Sequence, residues 1–205
     1  RALMALMQEF NIDRFAIRRG IALVVTNTLF RSGVRNSRLQ DRPGAQHDKT
    51  KILTFCRNIG CTYQIHDDLT AEGMIEACKS FSETNFTLFD AVLCFISSHG
   101  DEGDVLYGTD GSRVTVNDIV SMFRGKVSLA NKPKLFFMQN CRGRYIDRGV
   151  NTVQADHPPT AHFRIPFEAD MLVAFSTVDG YESFRDVSHG SWFISVLMEV
   201  LNERQ

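Results

Sequence analysis

Lys134-Leu135-Phe136-Phe137-Met138-Gln139-Asn140-Cys141-Arg142-Gly143 is the stretch from which the rest of the chain can be read. An apolar run that stops at Asn, Cys, Arg and Gly predicts a buried strand with an abrupt end. Its last residues then lie at the carboxyl edge of a sheet, where open α/β sheets place their ligands. A thiol at such an edge is a candidate nucleophile when a base stands beside it.

Ala91-Val92-Leu93-Cys94-Phe95-Ile96-Ser97-Ser98-His99-Gly100 has the same form and supplies the base. Cys141 and His99 are separated by 42 positions, enough for the parallel crossover that makes their strands neighbours. Either residue alone is more often structural than chemical; the pair at two strand ends is the signal.

These residues also carry a family resemblance. Gln139-Asn140-Cys141-Arg142-Gly143 resembles the caspase active-site pentapeptide, Gln-Ala-Cys-(Arg, Gln or Gly)-Gly, with a histidine about 50 residues upstream. Ser98-His99-Gly100 with Glu102-Gly103 resembles the caspase histidine loop, and Gly190-Ser191-Trp192-Phe193 a later signature. The resemblance covers nearly all 205 residues. Asn140 is a departure: a larger, polar residue stands where the family usually has Ala, which bears on rate and not on fold.

The resemblance implies a cysteine endopeptidase that cuts after Asp, in apoptosis or related proteolytic signalling. Cys141 would be the nucleophile, His99 the general acid/base, and the backbone N–H groups of Gly100 and Cys141 the oxyanion donors. A free thiol, with a pKa of about 8.5, is only a few per cent ionised at neutral pH, so the base matters. Asp41-Arg42-Pro43-Gly44, with Asp48 further on, resembles the family's Arg-x-Gly loop. Arg42 and Arg185 would then grip the substrate carboxylate, with Gln139 as a neutral donor between them; paired guanidinium groups suit that geometry. Ser183 and Arg185 would present extended backbone to a substrate bound as an added strand. Phe184 would line the adjoining apolar subsite.

Two rival readings remain beside this one. A catalytically weak caspase-like regulator would act by pairing with an active caspase or a scaffold, and Asn140 keeps that reading open. A relative that cuts after Lys or Arg would need an acidic pocket, which Arg42 and Arg185 oppose.

Composition sets the frame. A chain of 205 residues, 43% hydrophobic, suits one α/β domain with a sizeable core. A net charge of −1 points to neither nucleic acid nor an anionic membrane as partner. No apolar run approaches the length of a membrane span. No signal peptide is visible, and Arg1 is not a natural start. Cys56, Cys61, Cys78, Cys94 and Cys141 are odd in number and lack framework spacing, which reads as free thiols in a reducing, cytoplasmic compartment. His157 and His162 have no cysteine pair beside them, so neither a metal nor another cofactor is expected. The partners implied by the resemblance are protein substrates, a second copy in a homodimer, and an activating scaffold or an inhibitor protein.

Taken in order, Leu3, Leu6, Met7 and Phe10 suggest an amphipathic lead-in over residues 1–13. Gly20–Asn27 reads as the first strand, followed by an arginine-rich loop over residues 28–47. A helix is expected from Asp48, as its cap, to Gly60. Cys61–Ile65 reads as the second strand, and Thr70 caps a helix to about Phe81. A hairpin turns at Asp110-Gly111 and a helix opens at Thr115. Residues 142–164 read as a loop without periodicity. Met171–Ser176 is the fifth strand and Trp192 to about Asn202 the last helix. The fold class is therefore a mostly parallel sheet with helices on both faces. By resemblance, residues 1–147 are the large-subunit region, 148–164 the intersubunit linker and 165–205 the small-subunit region. Asp156, and second Asp147, are then processing sites, and the family's C-terminal dimer strand is expected to be missing.

Overall fold

A computed structural model describes residues 18–30, 39–146 and 170–203. Its first strand, β1 (Gly20–Thr26), is buried along its whole length. Helix α1 (Ala45–Asn58) returns the chain to β2 (Thr62–Asp67), and α2 (Ala71–Ser82) returns it to β3 (Ala91–Ser97). A small antiparallel sheet of β4 (Gly100–Asp101), β5 (Val105–Tyr107) and β6 (Arg113–Thr115) follows, then the short helix α3 (Val116–Ser121) and β7 (Lys134–Gln139). After β8 (Gly143–Tyr145) come β9 (Met171–Phe175), β10 (Gly180–Tyr181), β11 (Arg185–Asp186), β12 (Gly190–Ser191) and α4 (Trp192–Asn202).

The main sheet is wholly parallel, in the order β2-β1-β3-β7-β9. Its central strands β1, β3 and β7 bury both faces, and alternate side chains enter opposite layers. Leu23, Cys94, Ile96, Phe136 and Met138 face the layer of Met74, Cys78 and Phe81 from α2 and Ile119 from α3. Val24, Leu93, Phe95 and Phe137 face Ile52 and Phe55 from α1 and Ile194 and Leu197 from α4. Phe95 and Phe137 stack with centroids 4.9 Å apart, while Phe136 meets Phe123 edge-on at 5.2 Å. The expected α/β architecture is thus present, and the strand order reverses between β1 and β3.

Local chemistry sets the helix starts. Thr70 accepts a bond from the Gly73 N–H, and Thr115 with Asp118 forms a reciprocal capping box. The start of α1 departs from expectation. Gly44, at φ 89°, is its N-cap, and no side chain caps it. Asp48 lies inside the first turn, where its Oδ1 accepts the Ser191 N–H at 2.7 Å. Residues 143–145 also differ: they form β8, paired in parallel with β10, rather than loop. Further on, Gly180–Tyr181 form β10 and Arg185–Asp186 the first arm of the β11–β12 pair. The lead-in over residues 1–13, Asp147, Asp156, His157 and His162 lie outside the described residues. No helix among the described residues is long and apolar enough to cross a membrane.

The two-layer core makes a stability prediction. Phe136→Ala should cost about 3–5 kcal/mol in a denaturant titration. Leu88→Ala, at a side chain 66% exposed, should stay within about 0.5 kcal/mol.

Candidate active site

Register brings the site together. Thr26 pairs with Ser97, and Ser97 pairs with Gln139, so β1, β3 and β7 end level with one another. His99 follows β3 by two residues and Cys141 follows β7 by two. The two loops then pack closely. A methyl group on Gly100 would overlap the Cys141 carbonyl, the Asn140 amide and the Val105 carbonyl, so only glycine fits at the start of β4, directly after His99.

His99 is held by backbone and by an aromatic edge. Its Nε2 donates to the Gln40 carbonyl at 2.7 Å, and the Phe30 ring lies edge-on with centroids 4.7 Å apart. Nδ1 is left with its lone pair. Burial pushes the imidazole down to about 4; Arg42 and Arg185 add to that, and the Gln40 carbonyl opposes it. His99 is therefore neutral at pH 7 and able to take a proton.

Cys141 is half-buried, and its Sγ receives the Ser183 N–H at 3.4 Å. Arg142, next along, ties the turn down: Nε and Nη2 donate to Asp104 at 2.9 and 2.6 Å, and its guanidinium lies 4.1 Å over the Phe175 ring. Asn140 is buried and turns back on the chain. Its Nδ2 donates to the Cys141 carbonyl at 2.8 Å, while Ser176 Oγ accepts from its N–H at 3.2 Å and donates to its carbonyl at 2.9 Å.

Beside the thiol lies a cationic pocket. Arg42 is only 2% exposed. It bridges the strand-order reversal, with Nη1 on the Asn27 carbonyl at 2.6 Å and Nη2 on Ser97 Oγ at 3.0 Å. Burial, and then Arg185, pull this guanidinium down to about 9, against the opposing charges of Asp48 and Cys141. Arg185 donates from Nε to the Pro43 carbonyl at 2.9 Å; burial lowers it too, again against Asp48 and Cys141. Gln139 is buried and gives Nε2 to Ser183 Oγ at 2.8 Å. Phe184 is 44% exposed and leans on the exposed Trp192 ring, 6.1 Å between centroids, so it offers an apolar wall rather than core. The pocket thus holds two partly desolvated cations against one buried carboxylate, Asp48, whose own acidity is weakened by burial.

Of the site residues read from the sequence, Cys141, His99, Gly100, Arg42, Gln139, Ser183, Phe184 and Arg185 all gather around this edge. Sequence reading missed the supports: the Gln40 carbonyl, Phe30, Ser97, Asn27, Ser176 and the burial of Asp48. A carbonyl that any residue would supply leaves no trace in sequence. Asp48 did carry a signal, an acid six residues past Arg42, but it looked like a helix cap.

A thiol and an imidazole thus stand at the ends of two adjacent parallel strands. The family model for the caspase domain matches residues 19–205. Caspase-3 of Bos taurus is 35% identical over 186 residues, 90% of this chain and 66% of its own length. Caspase-3 of Mus musculus is 38% identical over 187 residues, 89% of this chain and 65% of its own. Caspase-7 of Gallus gallus is 34% identical over 194 residues, 90% and 60%. The chain belongs to the caspase family, and it spans just under two thirds of the length of these relatives.

The environment of His99 can be titrated. NMR of its ring should give a midpoint near 4, and Arg185→Ala should move it up only slightly, because burial is the main cause and Arg185 a lesser one. Because the folded value lies below the unfolded one, the unfolded chain takes this proton first as pH falls. His99 therefore lowers stability as pH drops from about 6.5 to about 4, and has no such effect above 6.5.

Proposed function

We propose that this chain is an endopeptidase that hydrolyses peptide bonds after Asp by a Cys/His mechanism. The observation that carries this reading is the pair of guanidiniums, Arg42 and Arg185, beside Gln139 and Cys141, with Asp48 as the one buried carboxylate against them among the described residues. A desolvated cation excess favours an anionic side chain, and a carboxylate on one short methylene matches a pocket floor fixed by backbone bonds.

In this mechanism the substrate lies along β11 and displaces Ser183 from the thiol. His99 Nδ1 takes the Cys141 proton, with Nε2 held on Gln40 to keep the ring in place. Sγ attacks the carbonyl carbon, and the backbone N–H groups of Gly100 and Cys141 receive the oxyanion. His99 then returns the proton to the leaving amine. Water, deprotonated by the same imidazole, attacks the thioester and releases the acid. Phe184 and Trp192 border the residue before the Asp.

Cytoplasmic proteolytic signalling, apoptosis included, and a homodimeric assembly go with this reading. So do a division into regions 1–147, 148–164 and 165–205, and maturation at Asp156 or Asp147. Two contacts of one residue favour a second reading, that of a weak caspase-like regulator which pairs with an active caspase or a scaffold. The chain's own Ser183 covers Sγ and occupies the Gln139 donor.

A peptide ketone ending in Asp separates the two readings. Covalent attachment at Cys141, lost in Cys141→Ala, is expected; absence of adduct under conditions that label an active caspase favours the regulator. On a peptide library, Arg185→Ala should raise KM for Asp substrates by about 10- to 100-fold, the worth of a lost charged hydrogen bond. Unchanged Asp cleavage in Arg185→Glu would refute the pocket.

A further inference from the structure

Three buried side-chain polar atoms lack a partner among the described residues, Asp48 Oδ2, Gln139 Oε1 and Asn140 Oδ1, and the first two belong to residues that line one cavity behind the cationic pocket. Asp48 is 0% and Gln139 2% exposed. Both residues line one small cavity of about 10 Å³, closed by Ile52, Phe95, Phe137 and Ile194 and shared with Ser97. That is room for about one water molecule, and a buried water typically makes about three hydrogen bonds. An orphaned buried carboxylate oxygen and an orphaned amide oxygen are both costly unless a donor reaches them. Neither can donate to the other while Asp48 is ionised and the amide keeps its orientation.

The orientation of Gln139 matters because its Nε2 is the end turned toward Ser183 Oγ at the pocket mouth. Ser97 Oγ already accepts from Arg42 Nη2, and its own hydroxyl proton is free to be given inward. One water would accept that proton and donate to Asp48 Oδ2 and Gln139 Oε1. All three groups are then satisfied at once. With the amide reversed, one water O–H would lack an acceptor.

We propose that Asp48 is a positioning residue for the acidic-side-chain pocket, which with Ser97 holds one buried water against Gln139 Oε1 and so keeps Gln139 Nε2 turned to the substrate carboxylate. The inference rests on the reading of this pocket as the one that takes Asp. Asp48 touches no substrate. It acts through the water and Gln139, and its helix is tied to the opposite wall by the Ser191 N–H.

The site can be tested in two ways that do not share a failure. A crystal structure of the wild-type chain, at a resolution that shows ordered water, should place one water within hydrogen-bonding reach of Asp48, Gln139 and Ser97. Absence of that water overturns the proposal whether or not the protein turns over substrate, and even if an Asp48 variant does not fold. Kinetics on a peptide substrate ending in Asp give the second test. Asp48→Asn should raise KM about tenfold, the worth of one ordinary hydrogen bond, with kcat changed less than about twofold. Loss of the Asp48 charge alone would leave Arg42 and Arg185 less opposed and lower KM, so the sign separates the two causes. In a double-mutant cycle, Asp48→Asn should add nothing once Gln139→Ala is present. A fall in KM, or additive effects in the cycle, overturns the positioning role while wild-type cleavage after Asp still stands. Failure of the wild type to cleave after Asp would strike the pocket reading itself and leave the water site to the crystallographic result.

Discussion

The structure turns on a register. Thr26, Ser97 and Gln139 stand abreast on three neighbouring parallel strands. Parallel pairing cannot slip by one residue here, because both faces are buried and a slip would exchange the two layers. The strand order reverses between β1 and β3, which opens a crevice at their carboxyl ends. Arg42 fills the floor of that crevice by bonding the end of β1 through Asn27 and the end of β3 through Ser97. The next gap, between β3 and β7, receives His99 and Cys141. Pocket and thiol are therefore adjacent for one reason, the level ending of three strands.

Charge is the second constraint. A guanidinium 2% exposed is costly to bury, and burial with a like-charged neighbour is costlier. Backbone carbonyls of Asn27 and Gln139 and the hydroxyl of Ser97 meet part of that cost. Asp48 meets more of it through charge, yet its own burial makes the carboxylate reluctant to ionise. The same field acts on His99, whose imidazole is kept neutral first by burial and then by the two arginines. One arrangement of cations thus acts twice: it leaves excess positive charge in the pocket and adds to burial in holding the imidazole neutral.

How much of this could be read beforehand depended on the kind of signal. Apolar runs closed by Gln139-Asn140-Cys141 and Ser97-Ser98-His99 announce strand ends, so the sheet and the thiol–imidazole pair were legible. Thr70 and Thr115 sit where caps were expected, because their bonds are local. Asp48 misled because its partner is distant: the Ser191 N–H, 143 positions away, claims the oxygen that a cap would use. Two- and three-residue strands such as β8 and β10 are too short to show a period, and Gly143 with Gly180 offers only a close backbone approach. The carbonyl of Gln40 was beyond reach, since its side chain plays no part in the bond.

The loop that covers the thiol adds a step to selectivity if the site cleaves after Asp. Ser183 holds Sγ through a backbone N–H at 3.4 Å and holds Gln139 through its hydroxyl at 2.8 Å. Both are neutral bonds, each worth about 1 kcal/mol net. A substrate carboxylate offers charge-assisted bonds roughly twice as strong. It also brings Arg42 and Arg185 a counter-charge beyond that of Asp48. A neutral side chain offers neither, so it would exchange the Ser183 bonds for nothing better. Opening the site therefore favours the same substrates as filling it. Discrimination against an uncharged residue is then the sum of two terms, one for displacing Ser183 and one for binding in its place.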